Sequence, residues 1–283
     1  MDALEEAVGQ FELYQSTGDR KAFNASMRAV SSAECQDPGH VDVQLLKGML
    51  YTALHGQQGK EVFAERARTY LDAAAALRHQ RPEESRAIQR KVWRLEGTLD
   101  GRDVAPVRFV SREKARTLRE SYGDAYFYDV STNAPTASVH GITAAPEFSP
   151  FMPYGGIPIP GGNGTSDSVE GVWQGLKVIR GKTDPSYFRG AGRRRPGIPE
   201  GHRYGTTVLP YVEARKKIFV PAYHHMLQEH CPAEIDSMVE RALQGIPQFV
   251  FDVDENGNIG DTRGPLAHAS VLAAYVNAHL GDE

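Results

Sequence analysis

The first 104 residues carry a continuous helical pattern, and this feature restricts the possible folds of the chain most strongly. Apolar residues recur three and four positions apart, as Leu46, Met49, Leu50 and Leu54 show. Turn-forming stretches divide the region into about five segments that each suit an amphipathic helix. We therefore expect a helical bundle. An array of tetratricopeptide-type hairpins is the alternative, although no repeat of about 34 residues is found.

The pattern changes at Gly101–Pro106, where GRDVAP contains several turn formers. Short β-rich runs follow, and the stretch from Ser111 to about Ser121 is predicted to be helical. The sequence therefore predicts an α+β, mainly helical fold, with a helical bundle domain over residues 1–104 and an α+β domain with a few short strands over residues 105–283. The predicted strands are Val107–Val110, Ala125–Val130 and Gln248–Val253.

The stretch TSDSVEGVWQGLKVIR, Thr165–Arg180, has the start signal of a helix. Asp167 or Ser166 can cap its first turn, since short polar side chains accept hydrogen bonds from free backbone amides there. Gly171 and Gly175 fall on one arc of this helix. A pair of glycines weakens a helix, so we expect another backbone or a ligand to approach closely along that arc.

The same stretch has an apolar face and a narrow polar stripe. At 100° per residue, Glu170, Gln174 and Lys177 share the stripe, beside an apolar arc that contains Trp173. The apolar arc is predicted to pack and the stripe to be available for chemistry. The alternative is that Glu170 only caps the helix and that Lys177 is solvated.

Two unusual loops flank this helix. Thr132–Gly164 is rich in proline and glycine and contains Phe148, Phe151 and Tyr154, which indicates a packed, functional loop. After the helix comes a basic loop with Arg193, Arg194 and Arg195, and His202 follows it. These cations form either a solvated charge run or a phosphate clamp, because arginine forks match phosphate geometry.

Two stretches, one rich in histidine and one rich in aspartate, are candidates for metal binding. His224, His225 and His230 lack the i, i+4 spacing of a zinc pair on one helix face. The run from Asp252 begins like a calcium loop, but its twelfth position is Arg263 instead of the bidentate glutamate. We therefore expect turn chemistry there, no bound metal and no cofactor.

Charge and hydropathy indicate the class of partner. The formal net charge is −4, which argues against a nucleic-acid surface. No run of 18 apolar residues suits a membrane span, the N-terminal stretch is acidic, and two cysteines are too few for a disulfide framework. We expect a cytoplasmic protein that binds a small molecule, with a protein partner for the helical domain as a further possibility.

Three segments together resemble the YbiA-like, or NADAR, superfamily. They are FSPF at Phe148–Phe151, SVEGVWQGLK at Ser168–Lys177 and EARKKIFVPAYHHML at Glu213–Leu227. The chain is also similar to a related uncharacterised family with SVEGIWQGLKVF, GIPVP and PLSHA-type segments, the last matching Pro265–Ala269. The resemblance covers roughly residues 125–283, and Pro150 replaces the asparagine of the FSNF loop.

The resemblance implies an N-glycosidase, a hydrolase that cleaves the C–N bond between ribose, ribose phosphate or ADP-ribose and a base or amine. A carboxylate suits such chemistry because the transition state is oxocarbenium-like. At a helix N-terminus Glu170 should stay ionised, so we expect a stabiliser or base rather than an acid. The alternative is a non-catalytic module that binds a nucleotide-like ligand and recruits a protein through its helical domain. The predicted catalytic residues are Glu170 and Lys177, and the predicted substrate-binding residues are Phe148, Ser149, Phe151, Trp173, Gln174, Arg193, Arg194, Arg195 and His202.

Overall fold

The structure, a computed structural model, describes residues 2–131 and 142–281. It confirms the α+β, mainly helical fold class. The chain up to Ala105 and Leu243–Ile246 form one compact unit, and Pro106–Ala242 and Pro247–Gly281 form the other. Residues 132–141 of the predicted Thr132–Gly164 loop lie outside the described residues. Among the described helices, none combines the length and apolar content that crossing a membrane requires.

The first unit is helical, as its apolar periodicity predicts. Left-handed Gly18 and Gly59 end two of its helices, and Asp19 caps the start of another. Phe11 and Leu50 belong to one buried apolar cluster and Leu71 to a second. The helices are α1 (Ala3–Thr17), α2 (Arg20–Gln36), α3 (Val41–Gln58), α4 (Glu61–Leu77) and α5 (Ser85–Leu99).

From Pro106 onwards, short strands alternate with helices. Strands at all three predicted β-rich runs are present, each shorter than its run, and Ser111 caps the predicted helix by accepting from the Lys114 amide at 3.1 Å. The elements are β1 (Arg108–Phe109), α6 (Arg112–Tyr122), β2 (Phe127–Asp129), β3 (Thr143–Ala144), β4 (Ile157–Pro158), β5 (Thr165–Ser166), α7 (Val169–Leu176), β6 (Lys177–Val178), β7 (Gly201–Tyr204), β8 (Thr207–Leu209), α8 (Tyr211–Ala214), α9 (Val220–His230), α10 (Pro232–Leu243), β9 (Phe249–Phe251) and α11 (His268–Ala278).

A parallel sheet in the order β1-β9-β2-β3 forms part of the core of the second unit. All three residues of β9 are buried, which explains why its sequence, FVF, is continuously apolar. Val130 and Asp252 directly follow β2 and β9, so both lie at the carboxyl edge of this sheet. Two antiparallel sheets, β4-β5 and β6-β7-β8, complete the strand pairing.

The central helix, α7, is shorter than predicted, and its N-cap lies one residue after Asp167 and two after Ser166, the two predicted caps. Ser168 is its N-cap and accepts from the Gly171 amide at 3.0 Å, so the prediction of Asp167 or Ser166 is wrong. The Asp167 carboxylate instead accepts from the Gly190 amide at 2.7 Å. A hydrogen bond across the loop therefore replaces the expected capping interaction.

The helix also ends before the helical periodicity of the stretch Thr165–Arg180 does. The helix stops at Leu176, and Val178 pairs with Gly201 in an antiparallel ladder. The β-branched Val178 and Ile179 suit a strand as well as a buried helix face, and the long-range pairing decides between them. Lys177 thus lies just beyond the helix, at its C-cap.

The glycine pair of α7 lies against a short turn, as predicted. A Cβ atom on Gly171 would be 2.8 Å from the carbonyl oxygen of Tyr187, and one on Gly175 would be 2.2 Å from the Phe188 ring. Both partners belong to the 3-10 turn Pro185–Phe188. The turn packs directly on the helix backbone, and this packing requires glycine at both positions.

A π-helical turn, Arg215–Phe219, joins α8 to α9. The Val220 amide donates a hydrogen bond to the carbonyl of Arg215, which lies five residues earlier in the chain. Pro221 lies in the first turn of α9 and has no amide hydrogen to donate, so the wider turn just before it relieves the break in the hydrogen-bond ladder. The sequence predicts that Pro221 either kinks this helix or begins a new one; the structure shows a local widening just before it, and α9 begins at Val220. The sequence also predicts an amphipathic C-terminal helix that begins at Pro265. In the structure this helix, α11, begins three residues later, at His268.

Candidate functional site

A cavity of about 270 Å³ lies beside α7 in the second unit. Its wall combines two carboxyl groups, several cationic side chains and four aromatic rings. This mixture is typical of a pocket for a polar small molecule with a flat group, since rings supply contact area and charges fix orientation. The lining residues are Pro150, Phe151, Glu170, Trp173, Gln174, Lys177, Arg194, Tyr211, Arg215, Phe219, Asp254, Pro265, Leu266 and His268.

Glu170 lies in the first turn of α7 with only 7% of its surface exposed. Its backbone amide donates to the Pro150 carbonyl at 2.8 Å, which joins the helix to the FSPF loop. The backbone of Gly192 packs on the side chain, because a Cβ atom at that position would be 2.5 Å from the Glu170 Cβ. Two loops therefore enclose the carboxyl group on the cavity wall.

The amide of Gln174 connects Glu170 to Lys177. Its Oε1 accepts from Lys177 Nζ at 2.6 Å and from the Arg195 backbone amide at 3.0 Å. Since both of these partners are donors, the amide orientation is determined, and Nε2 must donate to Glu170 Oε1. The three polar residues predicted to share a stripe are thus one hydrogen-bonded chain.

The pKa values of Glu170 and Lys177, the two ionisable groups that Gln174 connects, are both shifted in the direction that favours the neutral form. Burial raises the pKa of Glu170 from 4.5 to about 7, although the hydrogen bond from Gln174 and nearby positive charges act in the opposite direction. Burial lowers the pKa of Lys177, against the attraction of Glu170, and the charges of Arg194 and Arg195 lower it as well. The expectation that the helix N-terminus keeps Glu170 ionised is therefore wrong. Near pH 7 this carboxyl group can both give and accept a proton.

A buried ion pair lies at the carboxyl edge of the parallel sheet. His268 contacts Asp252 Oδ2 through Nδ1 at 2.9 Å and the Val130 carbonyl through Nε2 at 2.8 Å. Only the charged ring has two N–H donors for these two acceptors. Burial alone would lower the pKa of His268, but the hydrogen bond and charge of Asp252 and the Val130 carbonyl raise it. Burial alone would raise the pKa of Asp252, but His268 and backbone amides lower it.

Asp254 supplies a second carboxyl group to the cavity. Burial and repulsion from Asp252 raise its pKa, while the positive charges of His268 and Arg194 oppose the rise. The same two cations act on Glu170. Glu170 and Asp254 therefore lie in one electrostatic field, and each holds its proton more tightly than it would in water.

The helix that contains the π turn provides another wall of the cavity through Tyr211, Arg215 and Phe219. Arg215 is 1% exposed and its guanidinium lies 4.2 Å from the centroid of the Tyr211 ring. It donates to three backbone carbonyls, which fixes the loop between Asp254 and Pro265. These carbonyls belong to Ile259, Asp261 and Gly264.

Phe148 and Ser149 lie behind the cavity instead of lining it. Phe148 is buried and its carbonyl accepts from the Tyr223 hydroxyl at 2.6 Å. Ser149 is fully buried, and its hydroxyl oxygen accepts from the Phe151 amide at 3.2 Å. The first half of the FSPF segment thus anchors the loop, and Pro150 and Phe151 reach the cavity.

The three consecutive arginines have different positions. Arg194 lines the cavity. Arg193 lies over the Tyr187 ring at 4.6 Å, and Arg195 donates to the Lys177 carbonyl at 2.6 Å, so these two brace the loop. The predicted phosphate clamp is therefore reduced to Arg194 on the cavity wall, with Lys177 as the neighbouring cation.

His202 is buried in β7 and lines a separate cavity. Its ring stacks on Trp173 with a centroid distance of 3.7 Å. Burial lowers the pKa of His202 to about 3, and the charge of Lys177 acts in the same direction. A neutral imidazole adds no positive charge to a phosphate clamp, so the clamp role predicted for His202 is not supported.

Sequence reasoning missed Tyr211, Arg215, Asp254 and His268 as cavity residues. Three of them had a visible signal. Arg215 and His268 lie in Glu213–Leu227 and Pro265–Ala269, two segments that carry part of the family resemblance, and Asp254 lies in the run that begins like a calcium loop. Within residues 2–131 and 142–281, no group of three or more histidine, cysteine, aspartate or glutamate side chains is placed to hold a metal ion.

Comparison with curated proteins gives no match, and comparison with solved structures gives none either. A family model matches residues 110–272, a range that contains every residue lining the cavity and excludes helices α1–α5. This range is more than half of the 283 residues. The chain belongs to the Family of unknown function (DUF6939).

Proposed function

We propose that this protein is an N-glycosidase that hydrolyses the C–N bond between a ribose-type sugar and a base or amine. The observation that carries the proposal is Glu170, a buried carboxyl group with a pKa of about 7 that Gln174 holds on the wall of the cavity. Perturbed carboxyl groups in clefts mark candidate catalytic sites. The resemblance to the YbiA-like superfamily, whose motif positions match Glu170, Gln174 and Lys177, also supports it.

The two carboxyl groups suit the two proton transfers of this hydrolysis. A water oxygen bonds to the anomeric carbon, the C–N bond breaks with its electron pair going to nitrogen, and the nitrogen gains a proton. One of the two carboxyl groups, in its ionised form, stabilises the oxocarbenium-like transition state and takes a proton from the water. The other, in its protonated form, gives a proton to the leaving nitrogen; Glu170, with a pKa of about 7, can take either role.

The cations of the cavity suit an anionic sugar. Lys177 and Arg194 both line the cavity, and together they can bind the phosphate of a ribose phosphate or an ADP-ribose. Lys177 also holds the carbonyl of Gln174 and so orients the amide that contacts Glu170. We therefore assign Lys177 a role in both substrate binding and positioning.

The test is release of free base and free sugar from a panel of N-ribosides and their phosphates, measured by chromatography. We expect Glu170→Gln to reduce kcat by about 10²–10⁴-fold, the range for loss of a general acid or base. Glu213→Gln is the matched control, because Glu213 is an exposed glutamate paired with Lys216 at 3.5 Å. Equal turnover by wild type and Glu170→Gln would exclude the catalytic role.

The pH profile separates the two roles of Glu170. If Glu170 is the base, activity must rise as pH increases through about 7, because the group loses its proton over that range. Activity that falls through the same range would assign it the acid role. No release from any substrate by wild type would favour the non-catalytic ligand-binding module.

The setting and partners of the protein are also part of the proposal. Free thiols at Cys35 and Cys231 suit the reducing cytoplasm, where disulfides are rare. The ligand is a small ribosylated molecule, and the helices α1–α5 bind a protein partner. Retention of a specific partner by the full chain and its loss on alteration of an exposed helix face would test the last point.

A further inference from the structure

A second cavity of about 320 Å³ adjoins the first. The two cavities share Trp173, Lys177 and Tyr211 in their linings. The other residues of the second lining are Pro199, Glu200, Gly201 and His202. No step of the proposed hydrolysis uses these four residues. A cavity that continues past the shared wall can hold the part of a substrate that lies beyond its sugar.

His202 is the unusual group in this second cavity. Its exposed fraction is 1%, and neither ring nitrogen has a hydrogen-bond partner within the part of the chain that the structure describes. Buried polar atoms in folded proteins are nearly always hydrogen-bonded, so two unpaired nitrogens on one ring require an explanation. A ligand that supplies both partners would satisfy them.

The chemistry of the lining indicates the class of ligand. His202 is neutral, so it offers one donor and one acceptor. It stacks on Trp173 and lies 6.4 Å from the Tyr211 ring, which gives the cavity flat aromatic walls. Flat walls and a neutral donor–acceptor pair suit a heteroaromatic base. They do not suit a phosphate, which prefers cationic donors.

We propose that the second cavity binds the leaving group of the substrate, a heteroaromatic base whose edge hydrogen-bonds the ring nitrogens of His202. The sugar then lies beside Glu170 in the first cavity. The C–N bond lies where the two cavities meet, next to Trp173, Lys177 and Tyr211, which line both. This inference rests on the proposed N-glycosidase function. It adds the substrate class, since an N-riboside of a simple aliphatic amine would leave His202 unpaired.

Binding should be visible in the fluorescence of Trp173. Both nitrogens of His202 are shielded from solvent, so the ring must move relative to Trp173 for a base to reach them. The chain has two tryptophans, and Trp93→Phe leaves Trp173 as the one reporter. Free adenine, guanine, cytosine, uracil and nicotinamide are titrated separately into the full-length chain, with calorimetry as a second readout.

We expect at least one base to bind and His202→Phe to weaken it by about tenfold or more, because phenylalanine keeps the flat ring and removes both nitrogens. His202→Gln, which retains a donor and an acceptor, should recover part of the affinity. Ribose 5-phosphate should bind wild type and His202→Phe equally. Glu170→Gln should retain base binding, because Glu170 lines the other cavity.

Two results would overturn the inference. One is equal affinity of wild type and folded His202→Phe for every base that binds. The other is an unchanged His202 signal when saturating base is added to wild-type protein with ¹³C-labelled histidine, a measurement that needs no variant. The hydrolysis assay is independent of both. Base binding through His202 with full activity in Glu170→Gln would refute the proposed catalysis and leave the base site standing.

Discussion

Replacement of Glu170 by glutamine should stabilise the protein in mildly alkaline solution and hardly affect its stability in acid. The pKa of Glu170 rises from 4.5 to about 7 in the folded chain, so the folded state holds this proton more tightly than the unfolded state. Below pH 4.5 both states keep the proton. As pH rises toward 7, the unfolded state ionises first, and the folded state becomes progressively less stable.

The size of the effect follows from the shift. A change from 4.5 to about 7 corresponds to about 3 kcal/mol at about 1.4 kcal/mol per pKa unit. This destabilisation is fully present above about pH 7. Glutamine carries no charge at any pH, and its side-chain oxygen can still accept from Gln174. The variant should therefore be more stable than wild type by about 3 kcal/mol at pH 8.5 and by well under 1 kcal/mol at pH 4.5.

Urea unfolding at pH 4.5 and pH 8.5 measures this difference. Emission of Trp173 in a Trp93→Phe background follows the second unit, which contains the site. Glu213→Gln is the control, since its exposed pair with Lys216 should contribute less than about 1 kcal/mol. A stability difference between wild type and Glu170→Gln that is the same at both pH values would refute the reasoning, because only a pKa shift makes it depend on pH.

Three other substitutions test separate contacts. Gly192→Ala should reduce activity at least tenfold with an unchanged circular dichroism spectrum, because its new methyl group displaces Glu170. Asp252→Asn should reduce the free energy of unfolding by about 3–5 kcal/mol near pH 6, since it leaves His268 buried without its counter-charge. Ser168→Ala should cost about 1 kcal/mol of unfolding free energy, the usual value of a lost N-cap hydrogen bond.

Each of these three predictions has a control variant or an outcome that would contradict it. Gly56→Ala adds a methyl group with nothing within 4 Å and should leave activity unchanged. Asp252→Asn combined with His268→Gln should recover part of the lost stability, and a purely additive result would show that the two side chains are not coupled. If Ser168→Ala leaves the urea midpoint unchanged, another residue caps α7.

The parts of the fold that could be predicted are those that local sequence determines. Helices α1–α5 were predictable because apolar spacing and capping residues act within a few positions. The end of α7 was not, because Val178 and Ile179 fit both a helix and a strand. Pairing of Val178 with Gly201, 23 positions away, decides the outcome, and no local pattern contains that information.

The site also combines residues that local sequence predicts with residues that only the folded chain brings together. Glu170, Gln174 and Lys177 were predicted together because they lie within eight residues of one helical pattern. Asp254 and His268 reach the cavity only because loops return to the same place at the sheet edge. The pKa of Glu170 also depends on its burial, to which the backbone of Gly192 from another segment contributes. The direction of the pKa shift of Glu170 could therefore not be predicted from the helix alone.

Because of the π turn at Arg215–Phe219, the shape of the cavity wall depends on how many residues this turn contains as well as on which residues they are. Tyr211, Arg215 and Phe219 are spaced four apart, and in a regular α-helix each such step rotates the side chain by about 40°. The wider turn offsets this rotation, so that all three side chains line one wall. The extra residue of this turn changes the direction in which side chains after it point, relative to those in the first turn of the helix. Deletion of one residue here would therefore turn Phe219 away from the wall that Tyr211 and Arg215 form.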